Sequence, residues 1–149
     1  MIRKFLLVDD DADDTELFEE AIRNIDHSIE LRTSHNFKEV LTELKKREVA
    51  PEIIFLDINM PDMDGWECLN FLKNDTELRE IPILMYSTSS VNIDGEKALK
   101  RGALGFLEKP SSYVKLKEFL EKITAASAEN LESELKKIQA SNTHRLMVA

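Results

Sequence analysis

Several features are scarce in this sequence, and each scarcity excludes a class of protein. Cys68 is the only cysteine among 149 residues, which excludes an intrachain disulfide and favours the reducing cytoplasm. No apolar run is long enough to span a bilayer, and the N-terminus lacks the pattern of a signal peptide. Asp and Glu number 29 against 20 Lys and Arg, a net charge of −9. Nonspecific binding to nucleic acid is therefore not expected, because it needs clustered basic residues.

Apolar residues are plentiful enough for a single core, at 42% of the chain against 33% charged residues. A chain of this length corresponds to one domain with a short appendage. We predict one domain over residues 1–126 and a C-terminal tail over residues 127–149, partly helical or disordered. In the tail, Leu131, Leu135 and Ile138 lie at helical spacing and predict a short helix.

The last residues, from about Ser141, have the character of a disordered end. The tail as a whole could instead dock across the last predicted helix or extend a dimer interface. The sequence leaves these alternatives open.

The most informative stretch is Ile53–Gly65. Four apolar residues run directly into Asp57, between Pro51 and Pro61, which is typical of a strand buried on both faces. Such strands occur in parallel sheets, where ligands bind just past the carboxyl ends. Asp57 lies at that end, as a metal ligand, a nucleophile or a cap on the following turn.

Apolar patterns predict five strands that alternate with five helices. With right-handed crossovers, this order predicts an α/β fold in which helices cover both faces of a parallel sheet. Asn36 and either Ser111 or Ser112 are candidate helix caps, and Gly102 is a candidate helix stop. The predicted strands are residues 2–8, 29–33, 53–56, 81–86 and 104–107, and the predicted helices begin near residues 13, 36, 66, 92 and 112.

Polar residues follow most of these strands and should meet at one edge of the sheet. They are Asp9 and Asp10, Asp57, Ser87 and Lys109. Three converging carboxylates repel one another, so they must take up a proton or bind a cation. Mg²⁺ suits oxygen ligands of this kind. The combination predicts phosphoryl transfer onto a carboxylate, although an Asp pair alone is often a helix cap and a lone Lys is usually solvated.

The same residues resemble the receiver domain of two-component response regulators, over about residues 1–126. The nearest subgroup is the stand-alone receivers of the chemotaxis type. The resemblance implies a flavodoxin-like, doubly wound, five-stranded parallel sheet in the order 2-1-3-4-5 with helices on both faces. The matching motifs are Leu7-Val8-Asp9-Asp10, Leu56-Asp57, Met60-Pro61 with Asp64-Gly65, Ser87, Gly102-Ala103 and Lys109-Pro110.

Residue roles follow from this resemblance. It implies that Asp57 is the phosphoacceptor and that Lys109 contacts the phosphoryl group. It also implies a Mg²⁺ ion held by Asp10, Asp57 and the backbone carbonyl of Asn59, with Asp9 acting through water.

The resemblance further implies a switch, in which Ser87 moves toward the phosphoryl group and Phe106 swings inward. It implies a cis bond between Lys109 and Pro110 as well. Two features depart from the family. Phe106 replaces the more usual Tyr, and Thr88 stands where many relatives have Ala, which narrows access to Asp57.

Acidic residues extend beyond the usual pair, through Asp11, Asp13 and Asp14. We interpret them as solvated residues at the start of a helix, where carboxylates are favoured by the helix dipole. An effect on metal affinity or on partner choice is the alternative.

The implied partners are a sensor histidine kinase or a histidine phosphotransfer protein as donor, and a downstream protein target. No output domain is recognised after the receiver, so output would come from docking to this target. The target would bind the face made by the fourth helix, fifth strand and last helix. The protein would be a monomer or a weak homodimer. Two other classes remain open: a Mg²⁺-dependent phosphohydrolase, disfavoured because Asn59 replaces the second acid, and a binding module that needs no phosphorylation.

Overall fold

The computed structural model describes residues 1–45, 50–61 and 63–149. Six strands and six helices are present in these ranges. The strands are β1 (Lys4–Val8), β2 (Glu30–Ser34), β3 (Ile53–Leu56), β4 (Ile83–Ser87), β5 (Gly105–Glu108) and β6 (Leu146–Val148). The helices are α1 (Ala12–Ile25), α2 (Phe37–Lys45), α3 (Gly65–Asn74), α4 (Val91–Lys100), α5 (Tyr113–Ala125) and α6 (Leu131–Ser141).

The sheet has the order β2-β1-β3-β4-β5-β6. The first five strands pair in parallel, which confirms the predicted α/β fold and the order 2-1-3-4-5. The prediction of five strands is incomplete, because β6 adds an antiparallel strand at the edge of β5. From Asn36 the apolar spacing predicts a helix through about Val49, and residues 46–49 of that stretch lie outside the described residues.

Helices cover both faces of the sheet because consecutive strand residues point to opposite sides. On β1, for example, Phe5 and Leu7 belong to one apolar cluster and Leu6 and Val8 to the other. Helices α1, α5 and α6 cover the first face, and α2, α3 and α4 cover the second. Both faces of the central strands are therefore apolar, which is why Ile53–Leu56 has no polar alternation.

Several predicted helix boundaries are confirmed. The side chain of Asn36 accepts a hydrogen bond from the backbone of Glu39 at 2.9 Å, and that of Ser112 accepts one from Lys115 at 3.2 Å. Gly102 follows α4 with a φ of 98°, a conformation that glycine adopts without steric cost. The predicted cis bond before Pro110 is wrong: the peptide bond is trans, the more stable form for most residues that precede proline.

The C-terminal segment folds back onto the sheet. Helix α6 is confirmed, and its residues Leu131, Leu135 and Ile138 enter the core cluster on the α1 and α5 side. The expected disorder after Ser141 is wrong for Leu146–Val148, which form β6. A strand of three residues is too short for its periodicity to be recognised.

Strand β6 also changes the face that was expected to bind a target. Gly105 of β5 pairs with Val148, and Phe106 pairs with Met147. The side chain of Met147 lies against Gly95 of α4, since a Cβ on that glycine would be 2.8 Å from the Met147 sulfur. The chain therefore covers part of the α4–β5–α5 face with its own C-terminal strand.

A charge in β6 is expected to destabilise the whole fold. Val148 is 7% exposed and belongs to the core cluster, whereas the adjacent Ala149 is exposed. Val148→Asp should reduce the free energy of unfolding by about 2–4 kcal/mol, because it buries an unpaired carboxylate and removes apolar contacts. Ala149→Asp adds the same charge and should change it by less than about 0.5 kcal/mol. Urea unfolding followed by Trp66 fluorescence measures both, and equal effects would mean that β6 does not support the fold.

Candidate functional site

The polar residues predicted from the strand ends do meet at one edge of the sheet. Asp9 follows β1, Asp57 follows β3, Ser87 ends β4 and Lys109 follows β5. Backbone hydrogen bonds tie neighbouring strand ends together: Asp57 donates to the carbonyl of Val8 at 2.9 Å, and Lys109 donates to that of Ser87 at 2.7 Å. The sheet itself thus sets the spacing of these side chains.

Three carboxylates lie together at this edge. One oxygen each from Asp9, Asp10 and Asp57 lies within 4.8 Å of the other two. Asp9 and Asp57 are buried at 1% and 5% exposure, while Asp10 is exposed. A set of oxygen ligands with one open side fits a hard divalent cation that keeps some of its water, as Mg²⁺ does.

The ammonium of Lys109 lies at the same place. Its Nζ is 2.8 Å from Oδ2 of Asp9, 2.8 Å from Oδ2 of Asp14 and 3.8 Å from Oδ2 of Asp57. It also lies 5.4 Å from the centre of the Tyr86 ring, within the range of a cation–π contact. Lys109 therefore faces three carboxylates, and among the described residues the site keeps an excess of negative charge that a divalent ion could balance.

This crowding changes the acidity of the groups. Burial raises the pKa of the Asp57 carboxyl to about 7; Lys109 opposes that rise and Asp9 adds to it. Burial by itself would lower the pKa of Lys109, but its hydrogen bonds to Asp14 and Asp9 outweigh burial and raise it. A charged Lys109 beside an acid that resists ionisation is a common feature of functional sites.

Ser87 lies at the end of β4 and is fully buried. Its Oγ accepts a hydrogen bond from the backbone of Ser89 at 3.2 Å, and the hydroxyl of Ser89 donates to Asp94 on α4. The end of β4 is thereby linked to the first turn of α4. Thr88, between these serines, is exposed.

Phe106 is already fully buried on the α4 side of the sheet. Its register partner on β6 is Met147, which packs against the same apolar cluster. The predicted inward swing therefore has no exposed starting position in this structure. A role for Phe106 in a switch stays a prediction.

A family model for the response regulator receiver domain matches residues 5–121. The chain belongs to this family. The receiver fold accounts for the first five strands and for the acidic edge of the sheet, whereas α6 and β6 lie beyond the matched residues.

Two curated relatives illustrate the similarity. Over 114 residues the receiver is 37% identical to a protein-glutamate methylesterase/protein-glutamine glutaminase of Methanococcoides burtonii, covering 72% of this chain and 30% of that protein. Over 66 residues it is 35% identical to the polar-differentiation response regulator DivK of Brucella anthropi, covering 44% of this chain and 54% of that protein. The matched stretch thus spans about a third to a half of these relatives.

Solved structures of response regulators share the fold. The phosphorylated cyanobacterial phytochrome response regulator RcpA superposes with a TM-score of 0.75 at 26% identity, covering 85% of this chain and 98% of that one. The Mn²⁺-bound form of the response regulator Rcp1 gives a TM-score of 0.69 at 25% identity, covering 82% of this chain and 92% of that one.

Within the described residues of this receiver, no helix has the length and apolar character to cross a bilayer.

Sequence reasoning missed two neighbours of the receiver site. The sequence predicts a solvated Asp14, but the structure shows that Asp14 accepts a hydrogen bond from Lys109 at 2.8 Å. Its position in the first turn of a helix that begins just after Asp9 and Asp10 is a signal that could have indicated this. His35 contacts the backbone carbonyl of Asp9 at 3.2 Å through Nδ1, and nothing in the sequence pattern pointed to it.

Proposed function

We propose that this receiver is a phosphorylation-dependent switch in which Asp57 accepts a phosphoryl group. The observation that carries this proposal is the position of Asp57: a buried carboxylate whose oxygen lies 3.8 Å from the ammonium of Lys109, a side chain that is only 9% exposed, and beside two further carboxylates. An aspartate in such a place can act as a covalent nucleophile. The donor would be a sensor histidine kinase or a histidine phosphotransfer protein.

Asp10, Asp57 and the carbonyl of Asn59 would hold a Mg²⁺ ion, with Asp9 acting through water. The clustering of carboxylate oxygens from Asp9, Asp10 and Asp57 supports this assignment. Bound Mg²⁺ would neutralise charge on the transferring phosphoryl group. The Mn²⁺ named for Rcp1 supports a divalent site in this fold.

In the transfer, a carboxylate oxygen of Asp57 forms a bond to phosphorus while the bond from phosphorus to the donor histidine nitrogen breaks. The electron pair of the broken bond stays on the histidine. Lys109 would pair with a phosphoryl oxygen, and the hydroxyl of Ser87 would donate a hydrogen bond to another. The product carries about −1.5 to −2 charges where Asp57 carried one.

The new charge would bias a two-state equilibrium at the end of β4 and at α4. The hydrogen bond from Ser89 to Asp94 supports this route, because it joins the loop after Ser87 to α4. Output would pass to a protein target at the α4–β5–α5 face, part of which β6 occupies. The single, buried cysteine supports a cytoplasmic location.

Labelling by a small donor tests this function. Wild-type protein with Mg²⁺ and acetyl phosphate is expected to gain one phosphoryl adduct in its intact mass. Asp57→Asn and a metal-free sample should gain none, because the nucleophile or the ion is missing. Asp13→Asn is the matched control, since it removes an acid that is exposed and lies outside the carboxylate cluster.

Labelling of Asp13→Asn but not of Asp57→Asn would support the assignment. Thr88 can hinder small donors, so a histidine kinase is the second donor to use. Lack of an adduct with both donors would contradict the function and favour a binding module that needs no phosphorylation.

A further inference from the structure

The candidate phosphoacceptor, Asp57, is not the main ion-pair partner of Lys109. The two carboxylate oxygens nearest its Nζ belong to Asp9 and Asp14, each at 2.8 Å, while that of Asp57 lies 1 Å further away at 3.8 Å. The side chain of Lys109 is only 9% exposed. An ammonium that is so little exposed and makes two short ion pairs has a defined position, and Asp14 supplies one of the two.

Helix α1 fixes the position of Asp14 beside Lys109. Asp11 caps the helix and accepts a hydrogen bond from the backbone of Asp14 at 3.0 Å. Asp14 therefore sits in the first turn, where the helix dipole favours a charged carboxylate. Its side chain is 32% exposed, so it is partly open to solvent. The adjacent Asp13 is exposed and, within the described chain, makes no ion pair with Lys109.

We propose that Asp14 is a positioning residue that holds the Lys109 ammonium beside α1 and competes for it with a phosphoryl group on Asp57. This inference rests on the proposed function. In the step concerned, an oxygen of Asp57 bonds to phosphorus, the bond from phosphorus to the acetyl oxygen of acetyl phosphate breaks, and acetate leaves with the electron pair. The phosphoryl oxygens need Lys109, and the anionic donor approaches the charge of Asp14. Both effects make Asp14 oppose phosphorylation.

The test compares the full-length wild type with Asp14→Asn, Asp14→Glu and Asp13→Asn in the presence of Mg²⁺. The half-saturating concentration of acetyl phosphate is measured by intact mass. We expect Asp14→Asn to lower it about fivefold, and Asp13→Asn, with the same change of net charge, to alter it by less than about twofold. Asp14→Glu restores the carboxylate and should return the value toward that of the wild type.

Asp14→Asn with the same half-saturating concentration as Asp13→Asn would overturn the inference. A higher concentration would overturn it too, because Asp14 would then orient Lys109 for the reaction. Partial unfolding cannot mimic the expected result, because it would lower the stability in urea but would not lower the half-saturating concentration of acetyl phosphate.

A second measurement is independent of phosphorylation. In metal-free protein, NMR of the Lys109 ammonium should show faster hydrogen exchange in Asp14→Asn than in the wild type and Asp13→Asn, because the ion pair at 2.8 Å is lost. Unchanged exchange would overturn the proposed hold on Lys109. Wild-type protein that no donor labels would instead overturn the proposed function, while the NMR comparison would still decide whether Asp14 holds Lys109.

Discussion

Asp57→Asn is expected to stabilise the metal-free protein at about pH 8, by on the order of 1–3 kcal/mol in the free energy of unfolding. The wild type must keep a charged Asp57 at 5% exposure beside the carboxylates of Asp9 and Asp10. Asparagine has nearly the same shape and no charge, so the variant does not have to bury a charged group when it folds. Lys109 keeps its ion pairs with Asp9 and Asp14 in the variant.

The gain should depend on pH in a defined direction. Burial raises the pKa of Asp57 from 3.8 to about 7 in the folded protein. Between these values the folded state binds a proton that the unfolded state has lost, so rising pH lowers the stability of the wild type through this window. Asp57→Asn lacks the group. The difference between the two proteins should therefore be small near pH 4, grow toward pH 7 and stay constant above it.

Urea unfolding at several pH values, with a chelator present, measures this difference. Asp13→Asn removes an exposed acid and should stay within about 0.5 kcal/mol of the wild type at each pH. A stability difference for Asp57→Asn that is the same at low and high pH would contradict the explanation by a buried charge. Mg²⁺ should reduce the difference, by about 1.4 kcal/mol at ten times its dissociation constant for the wild type.

Gly65→Ala is expected to reduce the free energy of unfolding by about 3 kcal/mol and to abolish labelling by acetyl phosphate. A Cβ at Gly65 would collide with the carbonyl oxygen of Asp57 and lie 2.6 Å from the Cα of Ile58. These are backbone atoms, held by the hydrogen bond from the Gly65 amide to the carbonyl of Ile58 at 2.5 Å. The backbone that contains Asp57, the candidate phosphoacceptor, must therefore move to relieve the collision.

Gly95→Ala is the matched control, because Gly95 also lies in a ten-residue helix. The three atoms nearest to a Cβ at this position would all belong to the side chain of Met147, with Sδ at 2.8 Å and Cε at 3.0 Å. A flexible methionine can move, and alanine favours the helix by about 1 kcal/mol. We expect this variant to stay within about 1 kcal/mol of the wild type and to be labelled. Equal loss in both variants would show that the close approach of Gly65 to Asp57 is not the cause.

Local sequence patterns determined the larger part of the fold. Continuous apolar runs such as Ile53–Leu56 predict buried parallel strands because both of their faces are covered, and the alternation with helices then fixes the layers. The meeting of Asp9, Asp57, Ser87 and Lys109 could be predicted for the same reason. Parallel strands bring their carboxyl ends to one edge, so a residue at each end becomes a neighbour without any further information.

The pairing of those side chains and the covering of the sheet edge could not be predicted from local pattern. Lys109 pairs more closely with Asp9 and Asp14 than with Asp57, by a difference of about 1 Å in the distance from Nζ to the carboxylate oxygen. The spacing of residues along the sequence does not encode such a difference. The strand formed by Leu146–Val148 has no periodicity of its own and exists because β5 offers a free edge and an apolar surface. Local pattern is enough to predict which helices and strands form and which strand ends meet. The pairing of charges and the covering of β5 depend on contacts between residues far apart in the chain.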